Sequence, residues 1–158
     1  METYTGKMIF SEFFAFLNSQ NPSRQFHEIA PEKIQNFLAQ FPNIKLPSAY
    51  VEFMRYAGNG LFWVGSDYGF NEVPELKEWA DELLKENCFP HKMKEDYFVF
   101  WMHQGYMFYF FKLSEGDDPP VYYYSECAQI SDFVKCSDSF THFIMKQFGF
   151  YRHASEMN

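Results

Sequence analysis

Leu46-Pro47-Ser48-Ala49-Tyr50-Val51-Glu52-Phe53-Met54-Arg55-Tyr56-Ala57-Gly58-Asn59-Gly60 carries start, face and stop signals together. Proline suits the start of a helix, because the N–H it lacks would find no acceptor there. Tyr50, Phe53, Met54 and Ala57 then recur at offsets of three, four and seven, one face of a helix. Gly58-Asn59-Gly60 supplies residues that tolerate the left-handed backbone with which helices close. The stretch is predicted to be a helix ending in a tight turn.

Toward the C-terminus, Leu61-Phe62-Trp63-Val64 reads as a strand and Gly65-Ser66-Asp67 as a turn. Pro74 opens a helix with Leu76, Trp79, Ala80, Leu83 and Leu84 inward and Lys77, Glu78, Asp81, Glu82, Lys85 and Glu86 mostly outward. Tyr97 to Leu113 is almost continuously apolar, broken at His103-Gln104-Gly105, and is predicted to form two strands joined by a tight turn. Ser114 to Pro120, SEGDDPP, is a polar turn before a strand at Val121-Tyr122-Tyr123-Tyr124. A short strand is expected near Ile130 to Val134. A last helix follows, capped by Ser137 or Asp138, with Phe140, Phe143, Ile144 and Phe148 on one face.

Toward the N-terminus, Phe10, Phe13, Phe14 and Leu17 mark one helix, ended by Asn18 to Arg24. Ile34, Phe37, Leu38 and Phe41 mark a second, begun at Pro31 and stopped before Pro42. Strands do not alternate with helices as in a doubly wound sheet. The predicted class is α+β: one domain over residues 1–158, a mostly antiparallel sheet backed by helices.

A hydrophobic share of 47% allows a core without disulfides or structural metal. With 21 Phe, 11 Tyr and 3 Trp, some rings should remain at the surface, where they anchor partners well. The formal charge of −8 opposes direct nucleic-acid binding, which draws on clustered Lys and Arg, and suits a basic protein partner. Cys88, Cys127 and Cys136 have no CxxC spacing, so neither a disulfide framework nor a zinc site is indicated. The start METYTGKMIFSEFF lacks the features of a signal peptide, and no apolar stretch is long enough to span a membrane. A cytoplasmic protein is expected.

Four elements in order, LPSAYVEF with Asn59-Gly60, His103-Gln104-Gly105-Tyr106-Met107-Phe108, Gly116-Asp117-Asp118-Pro119-Pro120-Val121-Tyr122 and Ser139-Phe140, resemble the signature of the SUKH superfamily. That group includes a yeast cell-wall-synthesis regulator and many bacterial immunity proteins. Where the family often has a second glycine after Asn-Gly, this chain has Leu61. The resemblance implies a helix-backed sheet that binds proteins. It further implies an immunity protein occluding a polymorphic or contact-dependent toxin, a nuclease foremost, or alternatively a regulatory scaffold for an endogenous partner. It supplies no catalytic residues and no cofactor.

The residues themselves nominate no chemistry. His91, His103 and His142 form no HExxH, HxH or Cys/His pair, so no metal site is expected. Glu126 and Asp138 would raise the pKa of neighbouring thiols, so Cys127 and Cys136 are expected to be buried or half-buried and inert. Gly58, Gly60 and Gly65 follow a helix rather than opening one, so they read as turn residues and not a phosphate loop. Asp81-Glu82 reads as a solvated helix face or as partner-contacting charge. The candidate partner-binding residues are Asp67, Tyr68, Glu72, Glu115, Asp117, Asp118, Tyr122, Tyr124 and Glu126.

Overall fold

Five strands cross one sheet in chain order: β1 (Ser66–Asp67), β2 (Tyr97–His103), β3 (Met107–Lys112), β4 (Val121–Ser125) and β5 (Val134–Ser137). Every neighbouring pair is antiparallel. The helices are α1 (Gly6–Gln20), α2 (Pro31–Leu38), α3 (Ser48–Ala57), α4 (Val73–Glu86) and α5 (Phe140–Lys146). This computed structural model describes residues 6–148. Met1–Thr5, the beginning of the segment considered for a signal peptide, and residues 149–158 lie outside the described residues. The α+β expectation holds, with helices on both sheet faces.

Alternation along the strands divides the rings between the two faces. Phe98, Phe100 and Phe111 meet α3 and α5: Tyr50 lies 5.4 Å from Phe98 and 5.3 Å from Phe111, and Phe140 lies 5.2 Å from Phe100. α1 lies against α3, with Phe14 stacked on Tyr56 at 4.7 Å. On the opposite face, Phe108 and Tyr124 pair at 5.6 Å, and Asn87, which caps the end of α4, donates to the Tyr124 hydroxyl at 2.9 Å. Each fully buried ring contributes about 1.5–3 kcal/mol from burial alone.

A shift of register between Val99 and Trp101 turns two consecutive residues of β2 to the same side. Phe100 and Trp101 both reach Phe143 of α5, at 5.8 and 6.0 Å. Trp101 also stacks on Trp63, with centroids 4.1 Å apart and planes 3° from parallel.

Leu61-Phe62-Trp63-Val64 is not a strand. Phe62 and Trp63 are both buried, whereas Leu61 and Val64 are 51% and 71% exposed, so burial does not alternate. The Phe62 N–H donates to the Tyr68 hydroxyl, and the Trp63 carbonyl accepts from the Ser66 N–H at 3.3 Å, which ties this backbone into a loop. The first strand instead occupies Ser66–Asp67, expected to be a turn. The last strand begins at Val134, where the predicted one ends. The cap of α5 is Ser139, whose Oγ accepts the His142 N–H at 3.0 Å, rather than Ser137 or Asp138. Phe148 lies beyond that helix and packs on Phe62 at 5.0 Å.

The turn between η1 (Leu113–Glu115), a single 3₁₀ turn, and β4 closes two helices at once. Asp117 offers its backbone carbonyl to the Ala49 N–H at 3.0 Å and its carboxylate to the Ser48 hydroxyl at 3.1 Å, both in the first turn of α3. Asp118 accepts the Thr141 N–H of α5 at 2.9 Å. The first N–H groups of a helix have no intrahelical acceptor, so one loop supplies partners for two helix starts. Burial raises the Asp118 carboxyl above its ordinary value, and the backbone hydrogen bond from Thr141 opposes that rise.

Candidate partner-binding site

The stretch Val73–Glu86 buries Val73, Leu76, Ala80, Leu83 and Leu84 against the sheet. Helical periodicity leaves Glu75, Glu78, Asp81, Glu82 and Glu86 in solvent. Trp79 lies at the border, half-buried. There the helix edge meets β1 and the β2–β3 turn, whose Gln104 and Gly105 take the left-handed conformation at φ 48° and 75°. Between them runs a groove of about 230 Å³, floored by Trp79, Leu83 and Met102 and edged by Asp67, Glu82 and Glu86. Among the described residues, no cation lines it. Three carboxylates without a cation in their midst, around an indole, suit an incoming Lys or Arg, which gains both charge pairing and ring contact.

Beside the groove, the β1–β2 pairing sets Ser66 opposite His103, with Oγ and Nδ1 2.7 Å apart. His103 packs edge-on to Tyr106 at 5.6 Å. This Ser–His contact fastens the two-residue strand to its neighbour. Among the described residues no His, Cys, Asp and Glu group is placed to hold a metal. No helix there is long and apolar enough to cross a membrane.

The residues nominated from sequence scatter. Asp67 lines the groove. Glu126 is exposed and does not line the groove, accepting from the Asn87 amide at 3.3 Å, with its own N–H donating to the Tyr106 carbonyl at 3.0 Å. Glu72 immediately precedes α4 and lines a different hollow with Asn59 and Gly60. Glu115 is exposed and accepts the Tyr122 hydroxyl at 2.9 Å, away from the groove. Burial and that hydrogen bond push the Tyr122 hydroxyl up to about 12. Asp117 and Asp118 hold helix starts.

Tyr68 and Tyr124 require correction as surface residues. They are 1% and 4% exposed, Tyr68 packing on Trp63 and Tyr124 on Phe108, which makes them core rings. Of the two thiols expected to be buried or half-buried, Cys127 is instead exposed, as is Cys88, whereas Cys136 is half-buried as expected, its thiol pushed up to about 11 by burial. Trp79 and Glu86 lie outside the residues nominated from sequence, although Trp79, Glu82 and Glu86 fall at offsets of three and seven on one stripe.

Comparison of the sequence with known families decides the relationship. A model of the SMI1 / KNR4 family (SUKH-1) matches residues 28–146. The chain belongs to that family. No curated protein matches the sequence. The SUKH-1 match begins before α2, upstream of the first sequence motif at Leu46, and runs to the end of α5. Within it, Ser48, Asp117, Asp118 and Ser139, all from the stretches on which the sequence resemblance rests, lie at the starts of α3 and α5. In this chain those stretches form a structural joint, while the acidic edge of α4 lies outside them.

Proposed function

We propose that this protein is an immunity protein that binds and occludes a basic toxin effector domain, a nuclease foremost, through the acidic groove beside α4. The observation that carries the reading is Trp79 set among Asp67, Glu82 and Glu86 with no lining cation. Family membership supports a protein-binding role. A nuclease presents clustered Lys and Arg to its substrate, and an acidic face with an aromatic anchor complements such a surface in potential and shape. On this reading the protein acts in the cytoplasm, by binding and not by catalysis.

The test is co-expression with a toxin encoded beside the gene. Growth should be rescued by the natural protein and lost with Glu82→Lys/Glu86→Lys, whose exposed positions leave folding intact. Failure of rescue by the natural protein counts against the reading. A stable endogenous partner, retrieved where no toxin is present, would favour a regulatory scaffold instead.

A further inference from the structure

A second concavity, of about 330 Å³, opens on the α4 face of the sheet and shares no lining residue with the acidic groove. Its wall is a cross-strand ladder of rings: Tyr97 and Phe110 stack at 4.8 Å, and Phe110 and Tyr122 at 5.4 Å. Phe133 stands edge-on to Phe110 at 5.0 Å. Around these rings lie Lys92, Lys94 and Lys112, three of the chain's 13 lysines and arginines, in a protein of net charge −8.

Among the described residues none of these lysines forms an ion pair. The Lys112 ammonium rests instead 4.5 Å from the Tyr122 ring centre and 5.4 Å from that of Tyr97. The sole lining carboxylate among the described residues is Asp132, which accepts the Phe133 N–H at 2.7 Å and faces His91 at 3.6 Å. Like charges gathered at one concavity repel unless an anion joins them.

The geometry points to a binding site for a small phosphate-bearing ligand with a flat ring, of the size and chemistry of a nucleoside monophosphate. The lysines would hold the phosphate, and Tyr122 and Phe133 offer half-buried rings to the planar part. The volume falls at the lower end of small-molecule pockets, roughly 300–1,000 Å³, and exceeds what a bare phosphate fills. Such a site is independent of the partner groove.

Isothermal titration of the full chain with AMP, adenosine and inorganic phosphate at matched ionic strength tests this. AMP should bind saturably, and adenosine and phosphate at least about tenfold more weakly, because each offers one half of the recognition. Lys112→Met, which keeps the apolar stem, should weaken AMP by about tenfold or more. Lys92→Gln/Lys94→Gln, on exposed side chains, should do likewise and covers the case in which the Lys112 variant fails to fold. No saturable AMP binding, phosphate binding as tightly as AMP, affinity untouched by the lysine changes, or binding of an oligonucleotide but not AMP would each overturn the assignment.

Discussion

The Oδ1 atom of Asp118 accepts the backbone N–H of Thr141 at 2.9 Å across 23 residues of chain, joining the turn before β4 to the first turn of α5. Burial raises this carboxyl in the folded state. The folded protein therefore holds that proton more tightly than the unfolded chain. The group's contribution to stability is greatest below its ordinary value of 3.8 and declines as pH rises through and above it. Asp118→Asn keeps the Oδ1 acceptor and removes the charge, so its stability relative to the natural protein should rise from acid toward neutral pH. Urea midpoints across that range provide the measure, and a relative stability that falls with pH would sink the idea. Asp118→Ala loses the cap and should cost about 1 kcal/mol.

Thiol accessibility separates the three cysteines. Cys88 and Cys127 are exposed, whereas Cys136 is half-buried with its thiol raised to about 11. In native protein near pH 8, a thiol-reactive chromophore should label two groups quickly and the third slowly, because the thiolate is the reactive form. Denaturant should bring the third to the rate of the others. Three fast thiols in the native state would contradict this arrangement.

Gly58 and Gly60, two residues apart, should respond differently to alanine. A methyl on Gly58 would run into the Phe70 ring, although its backbone is ordinary helix. Gly60 has open space around it but a φ of +92°. Gly58→Ala should therefore cost about 1–3 kcal/mol by overpacking and be partly rescued by Phe70→Leu. Gly60→Ala should cost about 1 kcal/mol through backbone strain, with no rescue from Phe70→Leu. Equal rescue at both positions would refute the distinction.

Charge and ring at the α4 groove should act on different rate constants. Reversing Glu82 and Glu86 should slow association with a basic partner by about tenfold or more and flatten its salt dependence. Trp79→Ala should chiefly speed dissociation, costing about 2 kcal/mol as a central aromatic anchor does. Glu115→Lys lies outside the groove and provides the comparison. Surface-plasmon kinetics at two salt concentrations distinguish these outcomes, and a partner indifferent to Glu82, Glu86 and Trp79 would place its interface elsewhere.

The helix Ser48–Ala57 was legible because proline, apolar spacing and glycine agree over a long stretch. The Leu61–Val64 loop was not, because a four-residue apolar run has no period long enough to distinguish a strand from a loop that buries adjacent rings. Asp117 and Asp118 looked like surface charge because two acids in a proline turn carry no local sign of the helices they close, which are distant in sequence. The acidic face of α4 could be read directly from its periodicity. The groove required knowledge of which strand lies beside it, a tertiary fact that placed Asp67 next to Glu82 and Glu86.

The parallel stack of Trp63 on Trp101 gives the molecule an internal optical division of labour. Two indoles 4.1 Å apart are close enough to couple electronically, and a circular-dichroism signal from the pair should vanish when the loop and sheet separate. The remaining tryptophan, Trp79, stands in the groove, so its fluorescence should respond to a partner that docks there while the stacked pair reports an intact fold. Folding and docking can thus be followed in the same cuvette without attaching a dye.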